Sequence, residues 1–220
     1  MLKISNEVEA RYPSLDVLTR RVTNVLVEKR NSELEKFKEE LVKEVKAKYT
    51  LDSLKDAPTF RAYRDFFWRV GIDPTKNRPA AEALIRRILR DNPIPNINTV
   101  VDAYNLASIK TEIALAAFDI QELRGNLVMR FAGRGEKFLG IGMEKPMDLE
   151  GGEVVISDDQ KLVAIYPHRD ADRSKVTEKT RDILLLVCGV PGIAKDALAG
   201  AAAVAVEYLT RFCGGEGRIE

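Results

Sequence analysis

The sequence contains few of the residues from which common metal and nucleophile sites are built. Its 220 residues include one histidine, His168, and two cysteines, Cys188 and Cys213. A structural zinc site takes about four cysteine or histidine ligands, so a zinc centre is excluded, and no other metal or cofactor is expected. Two widely separated cysteines form no disulfide framework and indicate reduced, packed thiols in a cytoplasm. A Ser-His-Asp hydrolase is not expected either, because no Gly-x-Ser-x-Gly elbow presents a serine.

Long apolar runs and a strong charge of one sign are also absent. The least polar stretch, residues 193–209, contains three charged side chains and is too polar to span a bilayer, so no membrane partner is expected. No apolar run follows Met1, and no signal peptide is expected. The formal net charge of +1 argues against a general nucleic-acid scavenger, although a local basic patch would still allow RNA binding. Charged residues make up 31% of the chain and glutamine occurs twice, which favours a heat-loving source.

Hydrophobic periodicity predicts helices in the first half of the chain and mostly strands in the second. Clustered β-branched residues predict a strand over 15–27. Ser32 is a candidate N-cap, and Glu35 completes a capping box for a helix whose apolar stripe reaches Tyr49. A polar linker is expected over 50–58. Further helices are predicted over 59–70, 79–90, 98–111 and 193–212, and strands over 113–117, 127–131, 153–156, 162–166 and 182–188.

This order of elements predicts an α+β fold. An N-terminal strand and helices precede a mostly antiparallel or mixed sheet region, and a helix ends the fold. We expect an N-terminal strand-helix extension (1–57) packed on a main domain (58–215), followed by a tail (216–220). The Gly214-Gly215 end of the chain is expected to fray.

The loop over residues 166–173 carries the clearest chemical potential. It places the lone histidine among two arginines and two aspartates at the end of a predicted strand, where binding residues are often found. A histidine there can act as a general base or contact a phosphate. The alternative is a solvated loop whose charges pair with one another.

Three other segments have a structural interpretation beside a functional one. Gly133-Arg134-Gly135-Glu136 lacks the spacing of a phosphate-binding loop and predicts a turn. The basic cluster over 86–90 suits the dipole of a helix C-terminus or contacts an RNA backbone. The aromatic residues between Phe60 and Trp68 pack in a core or stack on bases.

Four short motifs follow one another in the second half of the chain. They are Val101, Asp102 and Asn105; Ala116, Ala117, Phe118 and Asp119; Arg130, Ala132, Gly135 and Glu136; and Thr180, Ile183, Leu184 and Leu185. Together they resemble the third and fourth domains of the beta subunit of phenylalanyl-tRNA synthetase, which form its editing module. That family reads Val-Asp-x-x-Asn, His-Ala-Phe-Asp, Arg-x-Ala-x-x-Gly-Glu and Thr-x-x-Val-Leu-Leu at these positions. Order and spacing agree over about residues 58–215. With no room for a synthetase's catalytic or anticodon-binding parts, the chain resembles a free-standing relative of the module.

The resemblance implies a pocket for the aminoacylated end of tRNA, where mischarged tyrosine is hydrolysed from tRNA for phenylalanine. We therefore expect a stand-alone editing-type domain that binds tRNA or an amino-acid ligand and acts in trans as an aminoacyl-tRNA deacylase, not a complete synthetase. An aminoacyl ester is already activated, so positioning can suffice without a strong nucleophile. The expected catalytic residues are His168, Asp170 and Asp172, and the expected substrate-binding residues are Asp102, Asn105, Asp119, Glu136 and Arg169.

Two departures from the family pattern leave alternatives open. Ala116 stands where the family has a pocket histidine, and Asp172 is the nearest counterpart of its tyrosine-reading glutamate. The first favours a non-catalytic module that binds an amino-acid-like ligand or an RNA end. A third hypothesis is a protein-interaction domain that uses the helix over 32–49. Asp102 and Asn105 could also serve only to hold neighbouring backbone.

Overall fold

Two β-sheets form the centre of the fold and helices pack against them. The computed structural model describes residues 2–218. The helices are α1 (Asn6–Arg11), α2 (Ser32–Lys48), α3 (Leu51–Leu54), α4 (Pro58–Arg69), α5 (Ala80–Leu89), α6 (Thr99–Thr111) and α7 (Lys195–Cys213). The strands are β1 (Leu2–Ile4), β2 (Val17–Thr23), β3 (Ala114–Asp119), β4 (Leu127–Phe131), β5 (Lys137–Phe138), β6 (Met147–Asp148), β7 (Val154–Ser157), β8 (Leu162–Ile165), β9 (Arg169–Asp170), β10 (Ile183–Cys188) and β11 (Glu216–Arg218).

The sheets confirm the predicted α+β class. One sheet has the order β1-β4-β7-β8-β9 and is mixed, because β1 pairs with β4 in parallel while the other pairs are antiparallel. The second has the order β11-β2-β10-β3 and is antiparallel throughout. A two-stranded ribbon of β5 and β6 pairs with neither of them. Within residues 2–218, no helix is both long enough and apolar enough to cross a membrane.

Three local predictions were wrong: the N-cap of α2, the linker over 50–58 and the frayed end of the chain. The N-cap of α2 is Asn31, whose side chain accepts from the N–H groups of Glu33 and Leu34 at 2.9 and 3.0 Å. The supposed linker contains α3, which starts with a reciprocal capping box between Thr50 and Ser53. The end expected to fray instead forms β11, because its backbone pairs with the edge of β2. The last two residues of the predicted tail, 219–220, lie outside the described residues.

The N-terminal segment contributes to both large sheets. Its first strand, β1, pairs with β4, and β2 lies between β10 and β11. Residues 1–57 therefore supply strands to the sheets themselves as well as the helix α2 that packs on α5 and α6. The domain boundary at residue 57 stays a prediction.

Helices α6 and α7 cover the four-stranded sheet. They pack closely because α7 presents small buried residues, Ala201, Ala202 and Ala205, toward its neighbours. Asn98 caps α6 by accepting from the N–H of Val101 at 2.9 Å. A short turn leads from the end of α6 into β3, whose first residues line the site described next.

Candidate functional site

A recess of about 70 Å³ lies where the two large sheets approach one another. One wall comes from β3 and β10, in which Ala114 is opposite Cys188 and Ala116 is opposite Leu186. Because alternate residues of a strand share a face, these four side chains lie on the same side of the sheet. The alanines are small and leave the space open. The other wall comes from β8 and the chain leading into β9, and Ala80 at the start of α5 closes one side.

Asp170 in β9 contributes a carboxyl group to this recess. Its backbone is held in place, since the N–H of Ile141 donates to its carbonyl oxygen at 2.9 Å. Burial raises the pKa of Asp170 to about 7, and within residues 2–218 no hydrogen bond or nearby charge opposes that effect. A carboxyl group that titrates near neutral pH beside an open recess is a candidate general base.

His168 lies in the same recess and is half-buried. Its backbone N–H donates to the carbonyl oxygen of Ile165 at 2.8 Å, and its ring meets Phe67 edge-on at a centroid distance of 6.4 Å. Burial lowers the pKa of His168, and the positive charge of Arg169 lowers it further. The imidazole is therefore neutral at neutral pH, so it can donate one N–H and accept at the other nitrogen.

Two residues that the sequence did not single out surround this carboxyl group. Burial raises the pKa of Cys188, which lines the recess, and the negative charge of Asp170 adds to the effect. The pKa of Tyr104 on α6 is raised as well, first by burial and second by the negative charge of Asp170. Both residues are uncharged at neutral pH and keep the surroundings of Asp170 weakly polar. Tyr104 stands inside the Val-Asp-x-x-Asn motif, but nothing in that pattern indicated its role.

Tyr63 joins the two strands that form the first wall. Its hydroxyl donates to the carbonyl oxygen of Cys188 at 2.5 Å and accepts from the N–H of Ala114 at 3.0 Å. The side chain is fully buried, so both backbone groups depend on it. This bridge satisfies one backbone group on each of β3 and β10 at the recess.

Replacing Tyr63 by Phe is expected to lower the free energy of unfolding by about 1–3 kcal/mol, because two buried backbone groups lose their partner. Urea denaturation measures the change. A matched control is Tyr12→Phe, which removes a single bond of 3.3 Å to the carbonyl oxygen of Arg69 and should have a smaller effect. Equal effects of the two substitutions would contradict the bridging role.

Asp102 and Asn105 lie on α6, outside the lining of the recess. The Asp102 carboxylate is 1% exposed, accepts from the N–H of Ile97 at 3.0 Å and forms an ion pair with Lys38 at 2.7 Å. Asn105 is partly buried on the same helix. The structure supports the alternative for Asp102, in which it holds neighbouring backbone.

Asp119 and Asp172 also lie apart from the recess. The Asp119 carboxylate accepts from the N–H of Gln121 at 2.9 Å and from the hydroxyl of Thr180 at 2.6 Å. It thereby joins the end of β3 to the segment before β10. Asp172 begins a short 3-10 turn and pairs with Lys175 at 2.7 Å. The carboxylates of both residues therefore form contacts that stabilise the fold.

Glu136 lines a second, larger cavity of about 610 Å³ on the far side of the five-stranded sheet. Arg130 holds it in a bidentate pair at 3.0 and 3.1 Å and also donates to Ser157. Gly133 N–H donates to the same carboxylate at 3.2 Å, which closes the turn predicted over 133–136. The hydrogen bond from Arg130 lowers the pKa of Glu136. All these groups satisfy one another, so the Arg-x-Ala-x-x-Gly-Glu motif has a structural explanation.

The structure therefore brings together three of the eight predicted site residues: His168, Arg169 and Asp170. The loop charges do not pair with one another as the alternative supposed, since Arg173 instead pairs with Asp158. Asp102, Asn105, Asp119, Glu136 and Asp172 do not join the recess.

The chain matches a family model described as the B3/4 domain over residues 62–214. Among curated proteins it is 32% identical over 109 residues to a phenylalanine–tRNA ligase beta subunit from Pseudomonas savastanoi pv. phaseolicola; the match covers 50% of this chain and 14% of that protein. The beta subunit from Thermotoga maritima is 35% identical over 95 residues, with 43% and 12% covered. The chain thus corresponds to about a seventh of these relatives.

A crystal structure of an N-terminal fragment of the phenylalanyl-tRNA synthetase beta-subunit from Pyrococcus horikoshii has the same fold. The TM-score is 0.54 at 12% identity, and the superposition covers 99% of this chain and 50% of the other. The recess residues His168, Arg169 and Asp170 and the motifs of β3 and β10 all lie inside the range of the family model. Because that model covers well over half of the sequence, the chain belongs to the B3/4 domain family.

Proposed function

We propose that the recess binds the aminoacylated 3′ end of a tRNA and that the chain hydrolyses the ester in trans. The observation that carries this proposal is the Asp170 carboxyl group, which lines the recess and has no hydrogen-bond partner among residues 2–218. Relatedness to phenylalanine–tRNA ligase beta subunits supports a tRNA-linked substrate. The neutral His168 beside Asp170 supports hydrolysis over binding alone.

The chemistry needs only a base, a donor and a bound water. The Asp170 carboxylate takes a proton from a water molecule whose oxygen attacks the ester carbonyl carbon. The neutral imidazole of His168 donates its N–H to the oxygen that becomes negative. The bond to the ribose oxygen then breaks, and that oxygen leaves with the proton that Asp170 had accepted. The products are a free amino acid and a tRNA with its hydroxyl restored.

The size of the recess restricts the amino acid. A cavity of about 150 Å³ holds one benzene molecule, whereas this recess measures about 70 Å³. An aromatic side chain therefore does not fit without movement of the walls. The tyrosine that the family resemblance implies is a poorer substrate for this recess than a compact side chain.

We expect alanyl- and seryl-tRNA to be deacylated at least about tenfold faster than tyrosyl- or phenylalanyl-tRNA, since a misfit of one ring corresponds to several methylene groups. The measurement is release of labelled amino acid from a panel of charged tRNAs. A spontaneous-hydrolysis control for each ester corrects for its intrinsic lability. Fastest release from tyrosyl-tRNA would contradict the size argument but not the hydrolysis itself.

A non-catalytic binding module is the second candidate, and Ala116 favours it. In the family that position carries a histidine, whereas here a methyl group faces Leu186 across the sheet. The same panel separates the two candidates, because binding of charged tRNA without any release of amino acid would leave only the module.

A further inference from the structure

Helices α4 and α5 carry an excess of positive charge that the chain as a whole does not show. Residues 58–90 include eight basic and three acidic residues, while the whole chain has a net charge of +1. Glu82 is buried, and its Oε1 atom already forms ion pairs with Arg64 and Arg86, at 3.2 and 2.7 Å. Among the described residues, no carboxylate pairs with the remaining basic side chains of this segment: Arg61, Arg69, Lys76, Arg78, Arg87 and Arg90.

This charged segment borders the recess at two points. Phe67 near the end of α4 contacts His168, and Ala80 at the start of α5 is part of the lining. The turn over 71–79 connects these two points. Asp73 stiffens the turn by accepting from the N–H and hydroxyl of Thr75 at 2.8 and 2.6 Å. Its tip, residues 75–78, is exposed and includes two cations.

An exposed stripe leads away from the mouth along α5. Ala80, Ala83, Arg87 and Arg90 are all exposed and follow helical spacing, so they lie on one face. The stripe rises about 15 Å from Ala80 to Arg90. It starts with small side chains at the recess and ends with two guanidinium groups.

An exposed aromatic ring lies at the other end of the turn. Trp68 is 58% exposed, although the other aromatic residues of α4 pack in the core. Arg87 donates its Nε–H to the carbonyl oxygen of Pro93, so its guanidinium lacks only a carboxylate partner. An exposed indole in a segment whose cations have no carboxylate partner is the combination that binds single-stranded nucleic acid, in which bases stack and phosphates meet cations. An acidic protein segment would use the cations but would gain nothing comparable from the ring.

We propose that Trp68, the turn over 71–79 and the α5 stripe bind the single-stranded 3′ end of an RNA and bring the amino acid esterified to its terminal ribose to the recess. This docking surface deepens the proposed function and rests on it. The tryptophan stacks on a base, and Lys76, Arg78, Arg87 and Arg90 meet the backbone phosphates.

The test uses two substrates for each variant: a charged tRNA and a minimal aminoacyl ester without RNA. In the double variant Arg87→Glu, Arg90→Glu, we expect at least a tenfold rise in the Kd and KM for charged tRNA, and no change in the rate with the minimal ester. In the double variant Arg87→Ala, Arg90→Ala, the plot of log Kd against log salt should become less steep. The change in slope should correspond to the loss of about two phosphate contacts. The matched control is Arg134→Glu, Lys145→Glu, which makes the same charge change at exposed positions around the β5–β6 ribbon.

Trp68 is the single tryptophan of the chain, so its fluorescence reports the contact directly. A short single-stranded oligoribonucleotide should quench it, whereas a polyglutamate peptide of equal charge should not. Trp68→Ala should weaken oligoribonucleotide binding about 5- to 100-fold. Circular dichroism checks that each variant is folded.

Unchanged tRNA affinity in the arginine and tryptophan variants would overturn the docking surface, as would equal quenching by polyglutamate. The proposed function fails separately, if the unmodified chain releases amino acid from neither the charged tRNA nor the minimal ester. The affinity measurements decide the docking surface even in that case, because they do not depend on turnover.

Discussion

Replacing Asp170 by Asn should lower the rate of aminoacyl-ester hydrolysis by about 10²–10⁴-fold, the usual contribution of a positioned general base. The amide has nearly the same shape as the carboxyl group but cannot accept the proton of the attacking water. Single-turnover release of amino acid at saturating protein measures the effect without interference from binding. The matched control is Asp172→Asn, since that carboxylate pairs with Lys175 outside the recess. Equal losses in both variants would remove Asp170 from its role as the base.

Both the hydrolysis rate and the stability of the fold should change with pH in a direction that the pKa of Asp170 determines. The base is the charged form of Asp170, so the hydrolysis rate of the unmodified chain should rise with pH through about 7. The pKa of Asp170 is higher in the folded chain than its ordinary value of 3.8, so the folded state holds this proton more tightly than the unfolded state. The stabilising contribution of the protonated group is therefore complete below the ordinary value and is lost as pH rises to about 7.

Asp170→Asn should consequently raise the melting temperature at pH 8 relative to the unmodified chain and have little effect near pH 4. Loss of activity with a gain in stability is a combination that simple damage to the fold does not produce. Thermal unfolding of both proteins at the two pH values measures it. A variant that is less stable at pH 8 would show that Asp170 has a stabilising partner.

Replacing Lys38 by Ala should lower the free energy of unfolding by about 3–5 kcal/mol. Lys38 on α2 is 8% exposed and lies 2.7 Å from the Asp102 carboxylate, which is itself 1% exposed. The substitution leaves that carboxylate buried without its cation, and the cost of an unpaired buried charge exceeds the gain from most surface contacts. Urea denaturation followed by circular dichroism measures the change.

Two further variants define what this ion pair contributes. Glu35→Gln removes only the exposed partner of Lys38 and should change stability by about 1 kcal/mol or less. Lys38→Met combined with Asp102→Asn removes both charges and should recover much of the loss, because neither charge is then left unpaired. A loss in the double variant as large as in Lys38→Ala would show that packing, not charge, is responsible.

Most of the regular elements could be predicted from local pattern. Strand β4 was predicted with the correct limits, and α4, α6, α7 and β10 to within about two residues, because strong periodicity marks them. The elements that were missed are short: β1, α1, α3, β5, β6, β9 and β11. Such segments are too short to show a local pattern, and the missed strands form because their backbones pair with other strands.

The residues of the candidate site also divide into those that a local pattern predicted correctly and those that it did not. The loop over 166–173 was predicted to be functional because charged residues with one histidine follow an apolar strand, and three of its residues do line the recess. Asp102, Asp119 and Glu136 were expected to converge with it. They do not, because Lys38, Thr180 and Arg130 occupy their carboxylates. These partners are distant in sequence or equally suited to other pairings, so no motif identified them.

The sequence by itself determined the family, the α+β class and the positions of the longer helices and strands, because these depend on spacing and periodicity along one segment. Only the tertiary structure decided which carboxyl group remained available. Whether an acid is free or committed depends on what the rest of the chain places within about 3 Å of it. Within residues 2–218, Asp170 has neighbours that desolvate it but no hydrogen-bond donor to its carboxyl group. That difference distinguishes it from the other predicted site acids, Asp102, Asp119, Glu136 and Asp172.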